Sequence, residues 1–257
     1  MGTRLRIMGL EVDLLTRETF QESVEGFLSE DGLNVIYMIS LDFVGAYEEN
    51  ELVREVLGQA DLILPGEKAI LSAHHVDVLE TGGMFVDYRS FIDFSGTIGL
   101  EDKKFYFILR DDREARVVRQ YFERHFPEQN CLGIFVADEN QPEEMLVNDI
   151  NTKLPDILFL SMDSTRQEEW IANNKSRLNA RLCVVCGSIL PLMIRDNVHI
   201  PGWIRCLHLG RPYRFFARIP YLNFFRKRIF KRQMDDYITK KKLEGNQSDD
   251  GSMERRN

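Results

Sequence analysis

The chain has 257 residues, 44% of them hydrophobic, and a formal net charge of −8. That is enough apolar content for one sizeable core or two small ones, and no apolar run reaches the about 18 residues of a membrane span. The opening MGTRLRIMGLEVD lacks a long apolar stretch, so it reads as a first strand and not as a signal peptide.

Residues 5–14 read as a strand or short hairpin, followed by a helix over Thr16–Glu30 that Thr16 caps, with Glu18 and Glu22 in its early turns. Asn34–Ile39 is a β-branched and aromatic run, hence a strand. From Asp42 to Gln59 the residues Phe43, Val44, Tyr47, Leu52, Val56 and Leu57 form the stripe of one amphipathic helix. Asp61–Leu64 is a short strand closed by Pro65 and Gly66, and a helix follows over Glu67–Val78. Thr81–Gly99 has paired glycines and no clean period, and reads as an irregular or mobile connection. Lys104–Leu109 resumes as a strand, Asp112–His125 as a strongly charged helix, Leu132–Val136 as a strand and Pro142–Lys153 as a helix. Asp156–Ser161 and Arg181–Val185 are two further strands, with a helix over Ser164–Asn174 between them.

Strands alternating with helices predict an α/β fold, a Rossmann-like and mainly parallel sheet flanked by helices. The expected organisation is a core over 1–200, a basic and aromatic helical appendage over 201–242, and a disordered tail over 243–257, rich in Gly, Ser, Asn, Asp and charge. The cysteines (Cys131, Cys183, Cys186, Cys206) lie in or beside apolar runs and read as reduced thiols of a cytosolic protein. Cys183 and Cys186 sit three apart on a strand and so face opposite ways, which argues against a disulfide or a metal half-site. No other spacing completes a metal set, and His74 and His75 read as structural.

Two stretches carry chemistry. In Leu154–Asn174 a buried strand runs into a polar turn and a helix start, with capping-box spacing at Ser164/Gln167 and Thr165/Glu168. Such a start gathers unpaired N–H groups that attract anions. Arg166, Glu168 and Glu169 also fit a solvated helix face, and the two glutamates are read that way; Trp170 and Trp203 are read as core anchors. The second stretch, 211–232, holds eight Arg/Lys and no acid, and leaves 25 basic against 41 acidic residues elsewhere, a net −16. Its basic residues alternate with Tyr213, Phe215, Phe216, Tyr221, Phe224, Phe225 and Phe230. That mixture fits an anionic membrane surface; it also fits stacking on single-stranded nucleic acid or self-association into a homo-oligomer. The acidic body repels a long polyanion, so membrane is favoured and nucleic acid is not expected.

Four strings in this order resemble one family. ADLILPGEKAI (60–70) is similar to a signature built on ADLVLPDG, and STRQEEWIANNKSRL (164–178) to a PRQEKWI block. IPGWIR (200–205) is similar to APKWMQR, and PYRFFAR (212–218) to WLYRLL. The family is the bacterial N-acetylmannosaminyltransferases of the WecG/TagA/CpsF type, glycosyltransferase family 26, and the resemblance covers roughly residues 8–232.

The resemblance implies an inverting, metal-independent enzyme without cofactors. It would move a sugar such as N-acetylmannosamine from a UDP-sugar to a polyprenyl-diphosphate-linked glycan in teichoic acid or related cell-envelope synthesis. It would work in the cytoplasm, peripherally at the inner face of the plasma membrane. It places Gln167, with Ser40 and Arg166, in the donor pocket, and Arg211, Arg214 and Arg218 against acceptor or diphosphate charge. Gly66 stands where the family carries a carboxylate, which offers Glu67 as the substitute base; an acidic first-turn residue beside a helix dipole is its plainer reading. Met38 stands for the family's Thr, Ser40 for its Asn, Arg110 and Asp111 for paired glycines, and Ser161, Asp163 and Thr165 for a GxGxP turn. These changes keep open an alternative, a catalytically degenerate homologue that acts as a membrane-associated binding or scaffold protein.

Overall fold

A computed structural model describes residues 3–73, 84–95, 100–125, 130–138, 141–163, 165–190 and 228–240. The chain starts with a hairpin of β1 (Thr3–Ile7) and β2 (Leu10–Leu14), in the register Ile7↔Leu10. Its two-residue turn holds Met8 and Gly9 at φ 48° and 84°, the doubly positive conformation that matches strand twist. There follow α1 (Arg17–Ser29), β3 (Asn34–Ile39), α2 (Leu41–Glu49), α3 (Glu51–Gly58), β4 (Leu62–Pro65), α4 (Lys68–Ala73) and α5 (Tyr88–Ser95). The second half runs β5 (Phe105–Leu109), α6 (Asp112–His125), β6 (Cys131–Val136), α7 (Glu143–Lys153), β7 (Ile157–Leu160), α8 (Arg166–Asn174) and β8 (Leu182–Val185). A helix over 228–240 is α9.

The six strands β3–β8 form one sheet in the order β4-β3-β8-β7-β5-β6, with every pairing parallel. This is the expected Rossmann-like α/β architecture. Strand side chains alternate between two apolar cores, one on each face. Val35, Tyr37, Ile39, Ile108 and Cys183 pack with α2, α3, α4, α7, α8, α9 and the hairpin. Ile36, Met38, Phe107, Val184 and Cys186 pack with α1, α5 and α6. Cys183 and Cys186 therefore belong to opposite cores, and both are free thiols, as is Cys131.

The hairpin is fastened to the sheet by Asp13. Its Oδ2 accepts the Ile63 N–H of β4 at 2.9 Å, and its Oδ1 accepts Arg4 Nε at 2.9 Å. Arg4 is mostly solvated, so the backbone bond matters more. Asp13→Ala is expected to leave that N–H unpaired at a cost of about 2 kcal/mol, read as a lower urea midpoint with an unchanged m-value.

Three expectations need correction. The stretch 42–59 is two helices and not one: the chain breaks at Asn50, whose Oδ1 accepts Leu52 N at 3.0 Å and Val53 N at 3.4 Å. A side chain that satisfies two orphan N–H groups starts a new helix in the middle of a continuous apolar stripe. The stretch 81–99 contains α5, which Asp87 starts by accepting Arg89 N at 2.9 Å, while Ser90 Oγ accepts Val86 N at 3.0 Å. Tyr88 and Phe91 of that helix enter the α1-side core. The third concerns Glu168 and falls under the site below. The predicted helix over 67–78 is α4 as far as residue 73; its remainder, with His74 and His75, lies outside the described residues, as do Cys206, Trp203 and the tail 243–257.

Helix α9 docks on the hairpin side. Phe230 and Met234 are buried in that core, and a Cβ built on Gly45 of α2 would stand 3.2 Å from the Gln233 side chain. Tyr237 Oη reaches the hairpin turn, 3.5 Å from a Cβ built on Gly9. The rest of the 201–242 appendage lies outside the described residues. Among the described residues no helix is long and apolar enough to cross a membrane.

Candidate functional site

In a parallel sheet, ligands enter at the carboxyl ends of the strands, where helices leaving neighbouring strands diverge to opposite faces. Here the helix after β5, α6, packs on one face and the helix after β7, α8, on the other. The crevice therefore opens between the ends of β5 and β7, and the residues just past those strands are Arg110, Asp111, Ser161 and Asp163.

A polar cluster occupies this crest. Glu114, almost fully buried, accepts the Arg110 N–H at 3.2 Å on Oε2 and the Arg110 guanidinium at 2.8 Å on Oε1. Ser161 Oγ lies 3.0 Å from Glu114 Oε2 and 3.1 Å from the Gly187 carbonyl; both are acceptors, so its one proton serves one at a time. Arg110 also reaches Asp163 Oδ1 at 3.5 Å, and Asp111 Oδ1 caps α6 by accepting Glu114 N at 2.8 Å. Burial pushes the Glu114 carboxyl above the ordinary glutamate range, against the pull of Arg110. Sequence reading missed Glu114, because a Glu in the first turn of a strongly charged helix, four residues after an Arg, looks like a surface residue. The usable signal was Arg110 itself, a bulky cation where the resembled family has glycine.

A second group lies beyond β8, around the turn Gly187–Ile189. Gln167 is 3% exposed; its Nε2 donates to Glu168 Oε1 at 2.7 Å, while its Oε1 is buried and has no hydrogen-bond partner among the described residues. That oxygen faces Gly187, whose φ of +35° favours glycine and where a Cβ would stand only 3.2 Å from it. Glu168 is 0% exposed, which overturns its reading as a solvated residue. It is the third residue of α8, and its Oε2 reaches back to the Thr165 N–H at 2.6 Å, so capping pulls it inside. Burial raises its carboxyl above the ordinary range. Glu169 is exposed as expected, and Trp170 is a core residue as expected.

Across the same edge, Ser40 and Glu67 come together at the ends of β3 and β4. Ser40 Oγ caps α2 by accepting Phe43 N at 3.2 Å, and Glu67 Oε1 accepts Leu41 N at 3.0 Å. Glu67 thus faces the start of α2 while it precedes α4, its own helix. Gly66 lies between these groups and the Gly187–Ile189 turn. A Cβ built there would lie 2.6 Å from the Ile39 carbonyl and 2.5 Å from Ile189 Cδ1, so no side chain fits without displacement.

Arg166 stands apart from Gln167. It lines a cleft of about 80 Å³ between α7 and α8, with Trp170, Glu143, Glu169 and Asn173, far below the ~300 Å³ at which small-molecule pockets begin. Arg211, Arg214 and Arg218 lie outside the described residues. Among the described residues no three His, Cys, Asp or Glu side chains converge as a metal set would.

Searched by sequence, no curated protein matches the chain. A family model does: the one described as the glycosyl transferase WecG/TagA/CpsF family matches residues 5–233, which is most of the chain. The order of motifs, the all-parallel sheet and this match agree: the chain belongs to the WecG/TagA/CpsF glycosyltransferase family.

Proposed function

We propose that the protein transfers a hexosamine-type sugar from a UDP-sugar to a polyprenyl-diphosphate-linked glycan, in cell-envelope polysaccharide synthesis at the inner membrane face. The observation that carries this reading is Gln167 of the RQEEW motif, an unpaired buried carbonyl oxygen beside Gly187 at the carboxyl edge of the sheet. Gln167 and Ser40 line the donor pocket, and Arg166, in its own cleft between α7 and α8, lies outside it. Glu67 takes the proton from the acceptor hydroxyl as its oxygen attacks the anomeric carbon from the face opposite UDP; the bond to the diphosphate breaks and UDP leaves with inversion. Negative charge on the departing UDP is met by guanidinium and backbone N–H groups, with no metal. Arg211, Arg214 and Arg218 hold the acceptor diphosphate. The segment 211–232, apart from Phe230, which is buried in the core, adsorbs to anionic lipid at about 1 kcal/mol per basic residue near the surface. Self-association through that segment into a homo-oligomer is compatible with this arrangement.

Glu67→Gln retains an oxygen for the Leu41 N–H and removes the base. With purified protein, UDP-sugars and a lipid-linked acceptor, UDP release is expected to fall about 100-fold in kcat with KM little changed. Retained kcat removes Glu67 from the mechanism, and no UDP release by the wild type with any donor–acceptor pair removes the transferase reading.

A second reading, a degenerate homologue that binds membrane without catalysing transfer, is favoured by one feature. The crest between β5 and β7 is filled by the Arg110–Glu114–Ser161 cluster where the family has glycines. It predicts no heat on titration with UDP, together with liposome binding that depends on 211–232.

A further inference from the structure

We propose that Glu168 is the positioning residue for Gln167. It turns the Gln167 amide so that the carbonyl oxygen, and not the nitrogen, meets the ligand, which makes this position a receptor for an N–H or O–H of the nucleotide-sugar. The inference rests on the reading of Gln167 as a donor-pocket residue.

Two contacts fix the orientation. Thr165 stands at φ 73° in front of α8, and its N–H points at Glu168 Oε2, 2.6 Å away. That backbone donor cannot rotate away, so it anchors the carboxylate. The remaining oxygen, Oε1, has only lone pairs to offer and takes the Gln167 NH2 at 2.7 Å. Gln167 Oε1 is then forced to the other side, where it is buried with no partner among the described residues. A buried acceptor without a partner is costly, and such orphans mark places where a ligand or water completes the set. A Cβ built on Gly187 would stand 3.2 Å from Oε1, closer than most real Cβ contacts, so only glycine here leaves this oxygen room to meet a donor. Glu169, one residue on, is exposed and takes no part. Position 168 alone sets the polarity.

The test is calorimetric titration of the full chain with UDP, a UDP-hexose and a UDP-N-acetylhexosamine. In Glu168→Gln the Thr165 N–H claims the new side chain's oxygen, its NH2 turns toward Gln167, and the Gln167 amide rotates to present nitrogen. Affinity is expected to fall about tenfold. The exchange variant Gln167→Glu/Glu168→Gln keeps volume and net charge. Its carboxylate at 167 accepts from 168 with one oxygen and presents the other, so affinity is expected to return to within about threefold of wild type. A merely structural role for Glu168 predicts no such recovery. A loss already seen with UDP alone places the donor on the uracil imide or a ribose hydroxyl. Loss with both sugar nucleotides places it on a sugar hydroxyl, and loss only with the acetamido sugar places it on that amide.

Unchanged affinity of Glu168→Gln for all three ligands overturns the proposal, as does an exchange variant no better than the single one. If Glu168→Gln does not fold, the exchange variant is compared with wild type, and a tenfold loss there overturns it. If wild type binds none of the three, the donor-pocket reading itself falls. The amide orientation is then read by NMR in the free protein: Gln167 NH2 resonances left unmoved by Glu168→Gln overturn the positioning.

Discussion

Gly66→Asp is expected to destabilise the protein by about 3 kcal/mol, a Tm lower by about 6–12 °C, and to leave any transferase activity no higher than before. The substitution restores the carboxylate that the family's signature carries at this place, so by motif alone it should activate. Space decides otherwise. The nearest atom that is not a flexible side chain is the Ile39 carbonyl, 2.6 Å from where the new Cβ would sit. That carbonyl is held by the Gly66 N–H at 2.8 Å, at the end of β3, whose neighbours β4 and β8 lie on both sides. Neither partner can retreat without opening the sheet. A Gly66→Asp protein that melts like wild type and gains UDP release would show instead that the Gly187–Ile189 turn yields.

Glu114→Ala is expected to cost about 3 kcal/mol, because it strands the Arg110 N–H beneath the crest, leaves the Ser161 hydroxyl only the Gly187 carbonyl, and leaves Arg110 short of its nearest carboxylate. Arg110 keeps part of its hydration, which holds the figure below that of a fully buried pair. Ser161→Ala alone should cost about 1 kcal/mol, and less in the Glu114→Ala background; the difference in a double-mutant cycle measures the shared bond. Chemical denaturation at neutral pH gives all three values. The pH dependence has a definite sign. Burial raises the Glu114 carboxyl in the folded state, so the native protein binds this proton more tightly than the unfolded chain. Stability from this group therefore falls as pH rises from the ordinary glutamate range through the raised value. Wild type should gain on Glu114→Gln as pH is lowered through that window.

The elements themselves were largely legible, and the reasons are local. Asn34–Ile39 and Asp112–His125 carry unbroken strand and helix signals, and both ends agree with the structure. The one-helix reading of 42–59 failed because an apolar stripe continues through Asn50, while the break depends on its side chain capping α3. Residues 88–95 looked irregular because aromatic residues mask the period, although Asp87 and Ser90 are a helix-start pair. The site was less legible. Motif order brought Gln167, Glu67 and Ser40 forward, and the structure sets all three at the carboxyl edge. Glu114 and the buried Glu168 could not be read, since their burial follows from the strand order β8-β7-β5 and from a positive-φ residue before α8. Neither is written in the spacing of apolar residues.

Helix α9 has a consequence for how the protein is made. It packs on the hairpin that begins the chain, with Tyr237 at the turn and Phe230 and Met234 in the same core as Ile7 and Val12. During synthesis that core thus waits for the last of its cover until the helix made some two hundred residues later has emerged, a contact order that slows folding. The nascent protein up to β8 has every strand of its sheet and still lacks the cover of one core. A ribosome-bound chain stalled before residue 228 should be captured by chaperones that recognise apolar surface, and release of α9 should end that capture.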